Sequence, residues 1–347
     1  MDRATLVLIA CLISGPAAWA QEQGTATPGR KAASRPRIYK LEELRAPQID
    51  ALDREKTLFI LPVGMIEVHG PHLPVGTDTL GLIYEADGAS KRVARAMPDW
   101  NIVLMPPISY GQGGANQLGG KQIHPGTYAI RQSTLRSIVA DLGGQVAQNG
   151  FKWIFVLNGH GSPTHNIAIN EACDFVSETF RVTMLHVTAL LRADAAIQAA
   201  GAKVNARYFS ERQRASFGLD LHGGVGETSG MLALRPDLVS PQYRKLPNRA
   251  GASLDEVRAI ASAPDWQWYL SDPASASAAH GRAVEAWWIE GFADLMLRAV
   301  RGENLSTHPR FPDAVPPPVA SIAEQALAAE AEFEAALDTW LQQRSRR

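Results

Sequence analysis

The sequence predicts an α/β protein built around a mainly parallel sheet. Three observations predict it. Short, wholly apolar runs recur along the chain, as strands buried on both faces require. Segments of helical length separate them, which is the alternation of βαβ units. Clusters of His, Asp and Glu follow the runs directly, where open parallel sheets gather their ligands.

Taken in order, Leu6 to Ile13 is a short apolar run behind Arg3 and ahead of the small-x-small triplet Ala18-Trp19-Ala20. It reads as a secretory signal peptide over residues 1–20, because the run is too short to span a bilayer. Cleavage would leave Gln21 as the first residue of an exported protein, periplasmic or secreted, with no membrane attachment. Residues 21–36, rich in Gln, Thr, Pro, Arg, Lys and Ser, show no period and are expected to form a flexible leader. Folding should begin near Ile38, with one domain over residues 37–310.

Leu58 to Val63 ends at Gly64, Ile102 to Met105 ends at Pro106-Pro107, and Trp153 to Leu157 ends at Asn158-Gly159. Each reads as a buried strand, and Arg181 to Val187 would add a fourth. Between them, Thr79 to Ala96 and Ser133 to Asn149 read as helices. Ile169, Cys173, Val176 and Phe180 follow helical spacing, which places Cys173 in an apolar face. With Cys11 removed alongside the signal, Cys173 is the single thiol and no internal disulfide is possible. Residues 311–347 read as a Pro-rich linker and a C-terminal helix, since Ile322, Leu327, Phe333, Leu337 and Leu341 approximate one side.

Composition narrows the class. With 46% apolar residues the chain can bury a substantial core. A net charge of -1, from 34 basic and 35 acidic residues, supplies no field to hold nucleic acid or an anionic membrane. A small neutral or mildly polar substrate fits better.

The chemistry concentrates behind the first strand. In Gly64-Met65-Ile66-Glu67-Val68-His69-Gly70-Pro71-His72-Leu73-Pro74, Glu67 and His69 stand two apart and share a side of an extended chain. Asp78 follows nine residues later in Gly76-Thr77-Asp78-Thr79, so two carboxylates and an imidazole can converge on a cation. Such a set suits zinc, manganese or iron(II). His160, in Asn158-Gly159-His160-Gly161-Ser162, takes the same position after the third strand, on a turn able to aim it inward. Farther on, Asp220-Leu221-His222-Gly223-Gly224-Val225-Gly226-Glu227-Thr228-Ser229 adds a histidine and two carboxylates. These could donate protons, hold substrate or support the ligands.

These motifs resemble those of the creatininase (creatinine amidohydrolase) family: an E-x-H-G-x-H-L-P segment with a following T-D, an N-G-H-G turn, and D-x-H-x-G-x-x-E-T-S. All three stand in the right order, and the likeness runs from about Leu58 to Arg298. It implies a three-layer αβα fold and hydrolysis of a cyclic or linear non-peptide amide by metal-activated water. It also implies two divalent ions as cofactors and a homo-oligomer, a hexamer in relatives. By that resemblance Glu67, Asp78 and His160 would hold one ion, and His69 with a bridging Asp78 the second. His222 would transfer the proton, with Glu227 or Asp220 steadying it. The chain departs from true creatininases at Ser162, where they place a glutamate that binds the second ion. Creatinine is therefore a poor candidate substrate, and three ways of completing the second ion stay open: a weaker site, a water, or Glu227.

Two other readings compete. Ser162 near His160 and His165 could act as a nucleophile, although Pro163 follows it and the G-x-S-x-G elbow is absent. A periplasmic binder of metal or ligand could also carry the same fold without turnover. His72 suits a supporting role behind the ligands, and His124, beside Pro125-Gly126-Thr127, could reach the pocket.

Overall fold

In a computed structural model of the chain, residues 37–345 are described; the expected signal peptide and leader lie outside them. The structure is a three-layer αβα sandwich around one five-stranded sheet. The strands are β1 (Arg37–Lys40), β2 (Thr57–Val63), β3 (Asn101–Leu104), β4 (Trp153–Asn158) and β5 (Thr183–His186). They lie in the order β1-β3-β2-β4-β5, and every pairing is parallel. Ile60 pairs in register with Leu104 on one side and Phe155 on the other.

The alternation along β2 decides which helices cover which face. Leu58 and Ile60 join Phe155 and Leu157 in one core. Its helices are α2 (Thr77–Ala96), α5 (Val187–Ala193), α6 (Ala195–Tyr208) and α10 (Ala278–Val300). Of the chain's other helices, α1 (Ala46–Asp50) is a single short turn. Phe59, Leu61 and Val63 point the opposite way, against α3 (Gln132–Gln148) and α4 (Pro163–Phe180). Cys173 is buried in that second core. All seven residues of β2 are buried, and burying each large aliphatic side chain contributes on the order of 2 kcal/mol.

Beyond β5 the chain builds a cap over the carboxyl rim of the sheet. It includes α7 (Glu211–Ser216), α8 (Val225–Leu234) and α9 (Leu254–Ala261), and a small cluster of Leu73, Phe209, Phe217, Val225 and Met231 packs α8 and the ends of α7 against the loop after β2. The C-terminal helix α11 (Ala320–Ser345) follows the triple proline as expected. The segment before it is packed down rather than loose, because Arg310 pairs with Asp174 and Arg258 donates to Pro318 O. No helix among the described residues is long and apolar enough to cross a membrane.

The order reverses between β2 and β4: the chain leaves β2 toward β3 and returns on the other side. Ligands collect in the crevice at such a switch. Two glycines let a helix fill it. A Cβ on Gly64 would stand 2.9 Å from Thr79 Cα, and one on Gly159 2.6 Å from the Asp78 carbonyl oxygen. Only because both strand ends lack side chains there can the first turn of α2 press between them.

Candidate metal centre

That insertion delivers Asp78 between two loops. Glu67 and His69 come from the loop after β2, and His160 from the turn after β4. The turn is fixed by Asn158, whose Nδ2 donates to His160 O while its Oδ1 accepts from His160 N. Glu67, His69, Asp78 and His160 are all buried.

Their ligand atoms converge. His160 Nδ1 lies 2.8 Å from Glu67 Oε1 and 3.1 Å from Asp78 Oδ2. His69 Nε2 lies 2.9 Å from Asp78 Oδ1 and 3.7 Å from Glu227 Oε2. Three sets able to hold an ion result, Glu67-Asp78-His160, His69-Asp78-Glu227 and Glu67-His69-His222, and the two Asp78 oxygens divide between the first two, Oδ2 toward His160 and Oδ1 toward His69. Ligands bound at ~2.1 Å stand roughly 3 to 4 Å apart, so these spacings are those of coordination shells.

The histidine tautomers agree. His69 Nδ1 donates to Glu67 O, His160 Nε2 to Gly113 O, and His222 Nε2 to Val68 O, at 3.0, 3.1 and 2.6 Å. Each ring spends its N–H on a backbone carbonyl and turns the other nitrogen toward the carboxylates, the orientation of ligating imidazoles. His222 Nδ1 stands 3.8 Å from Glu67 Oε1. Glu67 Oε2 accepts from Ala115 N at 2.7 Å.

Electrostatics show what the centre lacks. Burial alone would push His69 down, yet Asp78, Glu227 and Glu67 outweigh it and raise its pKa to about 10. Glu67 and Asp78 raise His160 in the same way, and the histidines hold both acids below the usual carboxylate range despite burial. The acids thus recruit protons as a substitute cation. The substitute is incomplete, because His69 Nε2 and Asp78 Oδ2 make no hydrogen bond of acceptable geometry. Buried polar atoms seldom stay unsatisfied, and a divalent ion satisfies both.

A family model for creatinine amidohydrolase matches residues 42–296. The chain belongs to the creatininase family. It is 31% identical over 189 residues to the creatinine amidohydrolase of Pseudomonas putida, covering 52% of this chain and 66% of that protein. It is 28% identical over 284 residues to the mycofactocin precursor peptide peptidase of Mycobacterium ulcerans, covering 77% and 96%. Among solved structures, a manganese creatininase superposes with TM-score 0.56 at 25% identity, covering 76% of this chain and 99% of its own. A creatininase variant complexed with creatine gives the same TM-score at 26% identity, covering 75% and 98%. The chain therefore stands among metal-dependent hydrolases of C–N bonds.

The remaining residues singled out by sequence sit around this creatininase-type centre. His72 Nε2 donates to Thr228 Oγ1 at 2.8 Å, tying the loop after β2 to α8. Asp220 accepts from Val225 N and Gly226 N, anchoring the turn that aims Glu227. His124 packs against Trp268 in a tilted arrangement, ring centroids 4.4 Å apart, and joins none of the ligand sets. Ser162 precedes α4, and its Oγ pairs with Thr164 Oγ1 at 3.1 Å rather than with a histidine. His165 is occupied by Gln112 N and Asn158 Oδ1. The Ser–His pairing that a nucleophilic serine needs is thus missing. Sequence reasoning overlooked Gly113 O, Ala115 N and Val68 O, because a backbone group that orients a ligand leaves no residue-type signal.

Proposed function

We propose that the protein hydrolyses a small cyclic or linear amide at this centre, as an exported homo-oligomer. One ion would be held by Glu67, Asp78 and His160, and a second by His69, Asp78 and Glu227. Glu227 takes the place of the glutamate that true creatininases carry at the Ser162 position. The observation that carries the reading is the division of the two Asp78 oxygens between two ligand sets.

Divalent ions there supply Lewis acidity, which polarises an amide carbonyl and acidifies water. The chain's own residues do the rest. His222, its Nε2–H committed to Val68 O, presents its Nδ1 to the centre. That nitrogen takes the proton of the attacking water and returns it to the departing amine, the step an uncharged amide cannot make unaided. The pin to Val68 keeps the ring aimed between those transfers.

Metal analysis of two variants tests the division of labour. Asp78→Asn should lose both ions, since one residue serves both sets. His222→Asn should keep its metal while turnover falls on the order of a hundredfold to ten-thousandfold. Equal metal loss in both variants would refute the roles assigned. The peptidase relative from Mycobacterium ulcerans, aligned over 77% of this chain, favours including linear amides in the substrate screen.

A further inference from the structure

Several side chains around the centre have partners on the protein: His72 on Thr228, Asp220 on the turn before Glu227, and His165 on Gln112 and Asn158. Arg192, on the last turn of α5, has none: among the described residues its guanidinium enters no hydrogen bond and no ion pair. It lies beside the ligand turn, with Nη1 3.9 Å from where a Cβ on Gly161 would stand. The acids acting most on its charge are Glu227, Asp78 and Glu85. Half-buried arginines normally form bidentate pairs with carboxylates.

The neighbouring acids are unsuited to that pairing. Glu227 and Asp78 belong to the ligand sets, and a divalent ion consumes their charge. Glu85 faces Glu285 across α2 and α10, and burial together with that neighbour raises Glu85 well above its ordinary pKa. Burial likewise raises Glu285 to about 7. A carboxyl pair held close to its protonated form makes a poor counter-ion. Loading the centre therefore leaves Arg192 as a cation without compensation beside the Gly161 turn that carries His160. Desolvating such a group is costly unless an anion meets it.

We infer that Arg192 is a specificity-determining residue that receives a carboxylate of the substrate, so that the preferred ligand is an amide carrying a carboxylate a few bonds from the scissile carbonyl. N-acyl amino acids and lactam carboxylates are the chemical class. This departs from the neutral or mildly polar substrate expected from overall charge, because the local cation outweighs the molecule's near-zero net charge. It rests on the hydrolase reading for calling the ligand a substrate, but not for the anion site itself.

The test is calorimetric binding to the zinc-loaded full chain, using a cyclopentanone carboxylate and the matching uncharged hydroxymethyl cyclopentanone, neither of which contains an amide. The wild type should bind the carboxylate at least about tenfold tighter, as a charge-assisted bidentate pair implies. Arg192→Met should erase that preference, and Arg192→Lys should keep part of it. Zinc content, measured alongside, should match the wild type. Equal binding of the two probes by the wild type overturns the inference. So does a preference that survives in Arg192→Met, or a loss of zinc there, which would make Arg192 a support of the metal centre. If the zinc protein hydrolyses no amide yet keeps the Arg192-dependent preference, the hydrolase reading falls and the anion site stands.

Discussion

At the scale of single residues, protons and metal compete for the same nitrogens. Without metal, His69 has its pKa raised to about 10 and His160 lies well above 6.5. An ion must therefore displace protons to bind, and its apparent affinity should rise with pH, by about tenfold per unit for each proton released. A chelator-competition titration with zinc at pH 6, 7 and 8 should show affinity climbing throughout; a flat profile would mean the nitrogens are already bare. Linkage gives a second sign. A histidine whose folded pKa is raised contributes stability that is fully present below its ordinary value of 6.5 and is lost as pH rises through the folded one. The metal-free protein should thus lose stability from neutral pH toward pH 10, while the metal-loaded form should not share that loss. Glu67, His69, Asp78 and His160 could be picked out in the sequence because residue type and strand-end position coincide. The second ligand set could not be resolved, because Glu227 reaches it across 148 residues of intervening chain from Asp78, a proximity that only the fold creates.

At the scale of elements, the centre depends on how closely α2 approaches the ends of β2 and β4. Gly159→Ala would push a methyl toward the Asp78 carbonyl, 2.6 Å away, and the obstacle is backbone, which cannot rotate aside. The variant should lose about 1 to 3 kcal/mol of stability. It should also bind metal more weakly, because the displaced group is the residue shared by both sets. Chemical denaturation and zinc titration measure the two effects, and a variant that is destabilised yet binds zinc normally would show that Asp78 does not depend on the strand-end glycine. The strands β2, β3 and β4 were legible because each is an uninterrupted apolar run buried on both faces. The strand β1 was not, beyond the expectation that folding starts near Ile38. Its four residues Arg-Ile-Tyr-Lys carry charge at both ends, and an edge position asks for little burial. The cap helices between Glu211 and Ala261 escaped for another reason: at six to ten residues they are short, and an isolated helix of that length depends on tertiary packing to persist.

At the scale of the whole molecule, export and thiol chemistry are linked. If the signal is cleaved after Ala20, the mature chain keeps one cysteine in an oxidising compartment, and an exposed lone thiol there would couple to another molecule. Cys173 is instead buried between the sheet and its second layer of helices, and burial pushes its thiol well up, so little thiolate forms. The fold thus protects what the sequence leaves unpaired. Protein recovered from the periplasm of an expressing bacterium should have the intact mass of residues 21–347 and should run as the same species with and without reductant. Its thiol should stay unreactive toward a maleimide until denaturant is added, and then take up one equivalent. A retained leader would refute export by cleavage. A disulfide-linked dimer or labelling of the native protein would show that Cys173 is reached without unfolding, and that the packing of α4 on the sheet is looser than its apolar contacts require.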